Sequence, residues 1–447
     1  MEASKRILLT ISLSCCYILL SAMGATVPAA KTFSYVNAGD FGDYIVEYNA
    51  SYRALPPFES PFQLCFYNTT PNEFTLALRM GLLVKSESLM VWVWEANRGN
   101  PVQENAVFSL RPDGNLVLAD HDGRIAWQSN TANRGVLGFK ILKNGNMVLY
   151  GANGKYIWQS FDTPSDTLLV DQYLRLGGPT TLVSRLSSEN NTNGLYSMVL
   201  ERTRLAMYYS SPLENTPLLY FSSAKFLTVS GSPLNQVTLR ASPKGQTGGS
   251  YDVSLEFQSG AGTVQKVVLS RPRRNSALSY MRLGIDGNVR VYVYDDNADT
   301  GAWETTFTLF DGRPESDGEC QLPTKCGDFG ICSGGQCVTC VTGTPFANSS
   351  RPWNPSCGPP LLTSCVWKDY VYSKLVGVDH FVSRYTDGVG PMTQEACSEK
   401  CTQSCNCEGY FYHQTTSQCW AVNDLKTLNT VNDSTHLGFI KVPIYVG

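Results

Sequence analysis

From about Thr32 to Leu169 the chain runs in short segments of alternating apolar and polar residues, and no segment there repeats its apolar residues with a helical period. Alternation of that kind predicts short, half-buried β-strands, each sending every second side chain to one face. The alternation is itself repeated. Arg111-Pro-Asp-Gly-Asn-Leu-Val-Leu-Ala119 with Arg124-Ile-Ala-Trp-Gln-Ser129 returns 31 residues later as Leu142-Lys-Asn-Gly-Asn-Met-Val-Leu-Tyr150 with Lys155-Tyr-Ile-Trp-Gln-Ser160. Asn115 to Trp127 and Asn146 to Trp158 are both twelve residues apart, so turn, strand and tryptophan keep their spacing. Asp113-Gly-Asn115 and Asn144-Gly-Asn146 are tight-hairpin signals, and each unit is expected to be a small antiparallel sheet. Trp94 lies 33 residues before Trp127 and marks a third, diverged copy at about residues 74 to 97. Three such sheets suggest a threefold prism with its tryptophans inward.

A second β-rich region without cysteine is expected over residues 171 to 311, with strands in Leu195–Leu200, Leu205–Tyr209 and Val264–Leu269. It ends on the same theme. Met281 to Tyr292 carries Asp286-Gly-Asn288, and Trp303 follows fifteen residues after Asn288 instead of twelve. This predicts a second prism of related build, with a Gly-rich loop at Ser242–Ser250. Beyond it the composition shifts to cysteine. Cys320, Cys326, Cys332, Cys337, Cys340 and Cys357 fall in a Gly- and Pro-rich stretch too short to build a core without staples. The last block holds one helical candidate, Thr393–Cys401, capped by Thr393 and carrying Cys397 and Cys401 on one face.

Composition adds the compartment. Lys5-Arg6 precedes an apolar run from Ile7 to Leu20, which reads as a secretory signal peptide over residues 1–24 with a mature start near Ala25. No later stretch is long and apolar enough to span a bilayer, and the C-terminus lacks the tail of a lipid-anchor signal. Twelve cysteines between Cys320 and Cys419 can pair completely, as an exported chain allows, which leaves Cys65 as a buried free thiol or one end of an intermolecular disulfide. Asn49, Asn68, Asn190, Asn348 and Asn432 are N-glycosylation acceptors in that setting. A formal charge of -3, with signs interspersed, provides no basic field for nucleic acid or an anionic membrane.

The alternation also carries the candidate chemistry. Asp113, Asn115 and Val117, and likewise Asn144, Asn146, Val148 and Tyr150, recur at every second position and line one strand face each. A row of polar groups beside one apolar residue can hold a sugar, although Asp-Gly-Asn and Asn-Gly-Asn are also what a tight turn requires. Signals for catalysis fail. Asp299-Thr-Gly301 resembles an aspartic-protease triplet, but no second such triplet supplies the partner carboxylate. Arg271–Arg274 reads as a basic turn, Asp295–Asp299 as a polar loop, and Cys337-x-x-Cys340 as disulfide cysteines in place of zinc ligands. His121, His380, His413 and His436 are scattered, no two at metal-ligand spacing. Neither an enzyme nor a cofactor nor a metal is expected.

Trp94-Glu-Ala-Asn-Arg98, the two Gly-Asn-x-Val-Leu strands and Trp158-Gln-Ser-Phe-Asp-Thr-Pro-Ser-Asp-Thr-Leu-Leu169 resemble the bulb-type, mannose-binding (curculin-like) lectin domain of plant S-locus glycoproteins. Arg282 to Trp303 with Cys326-Gly-Asp-Phe-Gly-Ile-Cys332 is similar to the S-locus region and its EGF-like module. Glu395 to Tyr410 with Cys419-Trp420 resembles a PAN/apple domain. The order is most similar to secreted, epidermis-specific glycoproteins that lack a kinase. The resemblance implies a mainly β chain. Two tandem β-prism domains, at 31–170 and 171–312, would precede an EGF-like module at 318–358 and an α+β PAN/apple domain at 363–443. It further implies the pairs Cys320–Cys332, Cys326–Cys337, Cys340–Cys357, Cys397–Cys419 and Cys401–Cys407, leaving Cys365 with Cys405.

In the resembling family the binding strand reads Gln-x-Asp-x-Asn-x-Val-x-Tyr. Here the first copy keeps Asp113, Asn115 and Val117 but has Arg111 for Gln and Ala119 for Tyr. The second keeps Asn146, Val148 and Tyr150 but has Leu142 for Gln and Asn144 for Asp, and a third strand keeps Asp286, Asn288 and Tyr292. Two lost hydrogen bonds weaken a sugar site by about 5- to 150-fold. The expected function is therefore weak, multivalent binding of mannose-type or cell-wall glycans or glycoproteins outside the cell. The alternative is a protein-recognition scaffold, partnered by another secreted protein or a second copy of the chain, in which the lectin strands are degenerate.

Overall fold

The computed structural model describes residues 26–56, 61–82, 90–227, 233–242, 251–273, 278–295, 303–312, 318–341, 357 and 370–444. The signal segment 1–24 with Ala25, the loop at 243–250, the triplet Asp299–Gly301, Asn348 and Cys365 lie outside them.

The alternating segments pair as antiparallel sheets. Sheet 1 is built from Ser51–Ala54, Phe62–Asn68, Thr75–Met80 and Val91–Glu95. Sheet 2 orders Phe33–Val36, Val107–Leu110, Leu116–Ala119 and Ile125–Gln128, and sheet 3 orders Tyr156–Gln159, Met147–Tyr150 and Gly138–Ile141. Their apolar rows meet in one core that includes Leu78, Leu118, Leu149 and Trp94. A shared register fixes what fills its centre. Leu78 pairs with Trp94, Leu118 with Trp127 and Leu149 with Trp158, and each pair is followed by a shift in register on the same side. The three indoles meet edge to face, with centroids 5.8, 6.2 and 5.6 Å apart, a preferred geometry for aromatic quadrupoles. The threefold prism expected from the repeat is present, tryptophans inward.

Three further sheets make a second prism. Sheet 4 holds Thr181–Arg185, Asn193–Leu200, Leu205–Tyr209 and Leu218–Ser222. Sheet 5 holds Tyr173–Arg175, Leu234–Ser242, Asp252–Ser259 and Val264–Ser270, and sheet 6 holds Thr167–Leu169, Ser279–Leu283, Val289–Tyr294 and Trp303–Thr308. The chain thus lends two short edge strands to sheets 6 and 5 before it builds sheet 4. One expectation changes here. Trp303 does not occupy the place of Trp127: it pairs with Tyr294 at the strand end and packs on Tyr280 and Tyr294, at 5.0 and 5.1 Å, against the first core. The residue in tryptophan register is Phe307, opposite Val291 and just before the register shift. The longer connection after Tyr294 places Trp303 earlier on its strand, and spacing alone then points to the wrong aromatic.

The C-terminal region is disulfide-rich. Cys320–Cys332, Cys326–Cys337 and Cys340–Cys357 staple one small segment, and Cys397–Cys419 and Cys401–Cys407 another. These are the five pairs the resemblance implies, and Cys405 is also disulfide-bonded. Helix α1, Gln394–Thr402, begins where Thr393 Oγ1 accepts from the Ala396 N–H at 3.2 Å. Its buried Cys397 tethers it to a four-stranded sheet of Tyr370–Val376, His436–Pro443, Gly409–His413 and Gln418–Val422.

Candidate functional site

The hairpin asparagines hold each sheet together. Asn115 Oδ1 accepts from Thr131 N and Ser129 Oγ at 3.1 and 3.2 Å, while its Nδ2 donates to Gln128 at 2.9 Å. Asn146 repeats this with Phe161 N, Ser160 Oγ and Gln159 at 3.3, 3.4 and 2.9 Å. Asn288 closes sheet 6 in the same way, accepting from Phe310 N at 3.1 Å and donating to Phe310 O at 2.9 Å. Asn115 and Asn146 are 7% and 4% exposed, and Val117 and Val148 are 0% exposed. These four residues, proposed from sequence to touch a sugar, are therefore buried and, for the two asparagines, largely engaged within the chain.

Asp113, Asn144 and Tyr150 remain partly exposed at the rims of the two strands. Asp113 and Asn144 each accept from the backbone N–H two residues on, at 2.9 and 3.3 Å, and so shape the turn, with lone pairs to spare. Tyr150 lies across Gly138, where a built Cβ would come within 2.5 Å of its hydroxyl, and Lys140 Nζ sits 5.3 Å from its ring centre. In sheet 6 Asp286 is held by Arg290, Nη2 to Oδ2 at 2.6 Å, so the third strand offers an ion pair where the pattern calls for a free carboxylate.

The long motifs that carry the resemblance turn out to weld the two prisms. Glu95 is bound by Arg185 at 3.0 Å and Arg98 at 2.8 Å; Arg98 continues to Asp166 at 3.2 Å; Arg282 reaches Glu47 at 2.6 Å. Arg282 is buried, and although burial works against its charge, Glu47, Tyr280 and Tyr48 raise its pKa well above the ordinary value. The indole N–H of Trp94 donates to Thr163 O at 3.0 Å. Asp162, 3.3 Å from Arg175 of sheet 5, and Asp166, 3.9 Å from Arg282 of sheet 6, carry the Trp158–Leu169 motif to the junction of the two prisms.

Sequence spacing missed one cluster. His413 and His436 face each other across paired strands, rings 3.6 Å apart, and Asp379 bridges them: Oδ1 lies 2.8 Å from His413 Nε2 and Oδ2 lies 2.7 Å from His436 Nδ1. Among the described residues, this is the set whose nitrogen and oxygen donors lie close enough to share an ion of the zinc class. Only the strand register, not the 23-residue spacing from 413 to 436, brings them together. Cys326, Cys332 and Cys337 also cluster but are disulfide-bonded. Asn49, Asn190 and Asn432 are exposed; Asn68, 9% exposed, lines with Asn190 a polar cleft of about 420 Å³. Cys65 is a free, fully buried thiol whose pKa burial pushes up to about 12.

Residues 90–190, which contain both candidate strands, match the D-mannose binding lectin family. Fold and match together define a lectin-domain protein of the bulb type. The chain is 45% identical to EP1-like glycoprotein 3 of Arabidopsis thaliana, over 97% of its own length and 98% of the relative's. It is 52% identical to the epidermis-specific secreted glycoprotein EP1 of Daucus carota, over 78% of its own length and 92% of the relative's. It belongs to the EP1-like glycoproteins. A putative receptor protein kinase, ZmPK1 of Zea mays, is 27% identical over 85% of this chain, which spans 45% of that protein. The lectin domain and the glycoprotein relatives point to a non-enzymatic protein, and no described helix is long and apolar enough to cross a membrane.

Proposed function

We propose that this chain is an extracellular glycoprotein of the plant cell wall or apoplast that binds mannose-type or wall glycans weakly and multivalently. The observation that carries the reading is the placement of Asp113, Asn144 and Tyr150 at the exposed rims of two equivalent strands, inside the segment that matches the mannose-binding family. A sugar hydroxyl would meet the free lone pairs of Asp113 and Asn144 and the phenol of Tyr150, without reaching buried Asn115 or Asn146. Two such partial sites on one prism raise avidity without raising the affinity of either. The accompanying layout is a signal segment over 1–24, prisms over 31–170 and 171–312, an EGF-like module over 318–358 and a PAN/apple domain over 363–443.

The test is a glycan array with the native chain and with Asp113→Ala plus Asn144→Ala. Selective binding that the double variant loses supports the reading; binding to nothing, or binding that the variant keeps, sinks it. The engagement of Asn115 and Asn146 favours a second reading, a protein-recognition scaffold with degenerate sugar strands. Its signature is capture of the same wall proteins before and after their glycans are removed.

A further inference from the structure

The two prisms differ at their centres. In the first, the last strand of each sheet in chain order sends an indole inward opposite an apolar residue of the neighbouring strand: Trp94, Trp127 and Trp158. In the second, the residues in that register, each paired just before the shift, are Phe221 opposite Met207, Ser270 opposite Val253 and Phe307 opposite Val291. Each is smaller than tryptophan, and Ser270 lacks a ring altogether. Where the rings are missing lies an apolar cavity of about 260 Å³, lined by Phe221, Phe307 and, on the last strand of sheet 5, Val267.

Close-packed interiors hold few voids larger than a water molecule, and an apolar void offers water no partners. A cavity of roughly 150 Å³ lined by aliphatic and aromatic residues is known to stay dry and to take up benzene. The lining here suits a ring. Met198, Met207 and Met281 present adaptable thioethers, which pack well against aromatic edges. At the mouth, Phe226 is 58% exposed and stacks on Phe221 at 6.5 Å, and Val268 beside it is 37% exposed. Among the described lining residues the ionisable one is Asp311, which disfavours an anion.

We propose that the second prism binds a neutral, planar aromatic molecule of about the size of indole on its pseudo-threefold axis, independently of any glycan on the first. The ligand takes the place that tryptophan side chains take in the first prism.

The experiment titrates indole into the full-length, disulfide-bonded glycoprotein by calorimetry and follows the thermal midpoint in parallel. The expected result is one saturable site per chain and a midpoint that rises with indole concentration, as binding to the folded state alone requires. Val267→Trp puts an indole into the cavity from its lining and should weaken indole binding more than tenfold. Met281→Phe fills the same space by another route and should do likewise, so the inference does not depend on the first variant folding. No saturable binding by the native chain, or undiminished binding in whichever filled variant keeps its near-ultraviolet dichroism, overturns it. Because the readout uses indole, failure of the glycan reading leaves this result unaffected.

Discussion

Arg185 Nη1 lies 3.0 Å from Glu95 Oε1, with the two side chains 2% and 4% exposed, so an ion pair contributed by two different prisms is closed off from water. Tyr67 donates to the same carboxylate and accepts from the same guanidinium. Taking one partner from a buried pair leaves the other charge uncompensated, at a cost of about 3–5 kcal/mol. Glu95→Leu, which strands Arg185, should lower the unfolding free energy by that amount in urea; Arg185→Leu, which leaves Glu95 paired with Arg98, should cost less, and the double variant less than the sum. A loss below about 1 kcal/mol for both single variants would show that the pair is not what joins the prisms.

The indole cluster makes a second contrast. Trp127 packs edge to face on Trp94 and Trp158 against the first core, whereas Phe307 borders an open cavity. Truncating a large aromatic in a filled core costs about 3–5 kcal/mol, while a side chain at a void has fewer contacts to lose. Trp127→Ala should therefore destabilise the chain more than Phe307→Ala, as read from denaturation midpoints. Equal losses would mean that the second axis is as well filled as the first.

The architecture was legible in the sequence because it rests on local signals. Turn residues, period-two alternation and a constant Asn-to-Trp spacing are contained within about fifteen residues, and the first prism follows from them. Thr393 and the Cys397/Cys401 pair marked the helix for the same reason. What spacing could not show was set by pairing across the fold. Phe307 in place of Trp303 depends on a longer connection, and the meeting of His413 with His436 depends on strand register. The engagement of Asn115 by Ser129 and Thr131 requires the strand after the hairpin to fold back onto the turn. Sequence spacing put the asparagines on the right strands; whether they face solvent is decided by what covers them.

Cys65 allows a direct chemical check. Its thiol is fully buried between Tyr52, Tyr67 and Trp92, and burial holds its pKa at about 12. The thiolate, which is the reactive form, is then almost absent at neutral pH. The native chain should show no thiol titratable by a disulfide reagent at pH 8 and about one per chain in denaturant. A reactive thiol in the native protein, or a covalent dimer that reductant separates, would contradict this placement.

Glu408 and His380 should give the C-terminal region opposing pH dependences. Burial raises the Glu408 carboxyl to about 7 despite the Leu425 N–H it accepts at 2.7 Å, so the folded state holds a proton that the unfolded state has released. Its contribution is complete below about pH 4.5 and is lost as pH rises through 7. His380 is buried with both ring nitrogens unpartnered, and burial lowers its pKa to about 3. The unfolded state takes up a proton near pH 6.5 that the folded state refuses, so stability declines as pH falls from 6.5 toward 3. Between pH 7 and 4.5 each effect is of order 3 kcal/mol and the two have opposite sign. The native chain should therefore vary little across that window. His380→Phe, which keeps a ring against Phe381 and Phe411, should become more stable on acidification, and Glu408→Gln less stable. Urea titrations of the three proteins at pH 4.5, 5.5 and 7 decide it: parallel profiles for both variants and the native chain would refute the assignment of these two groups.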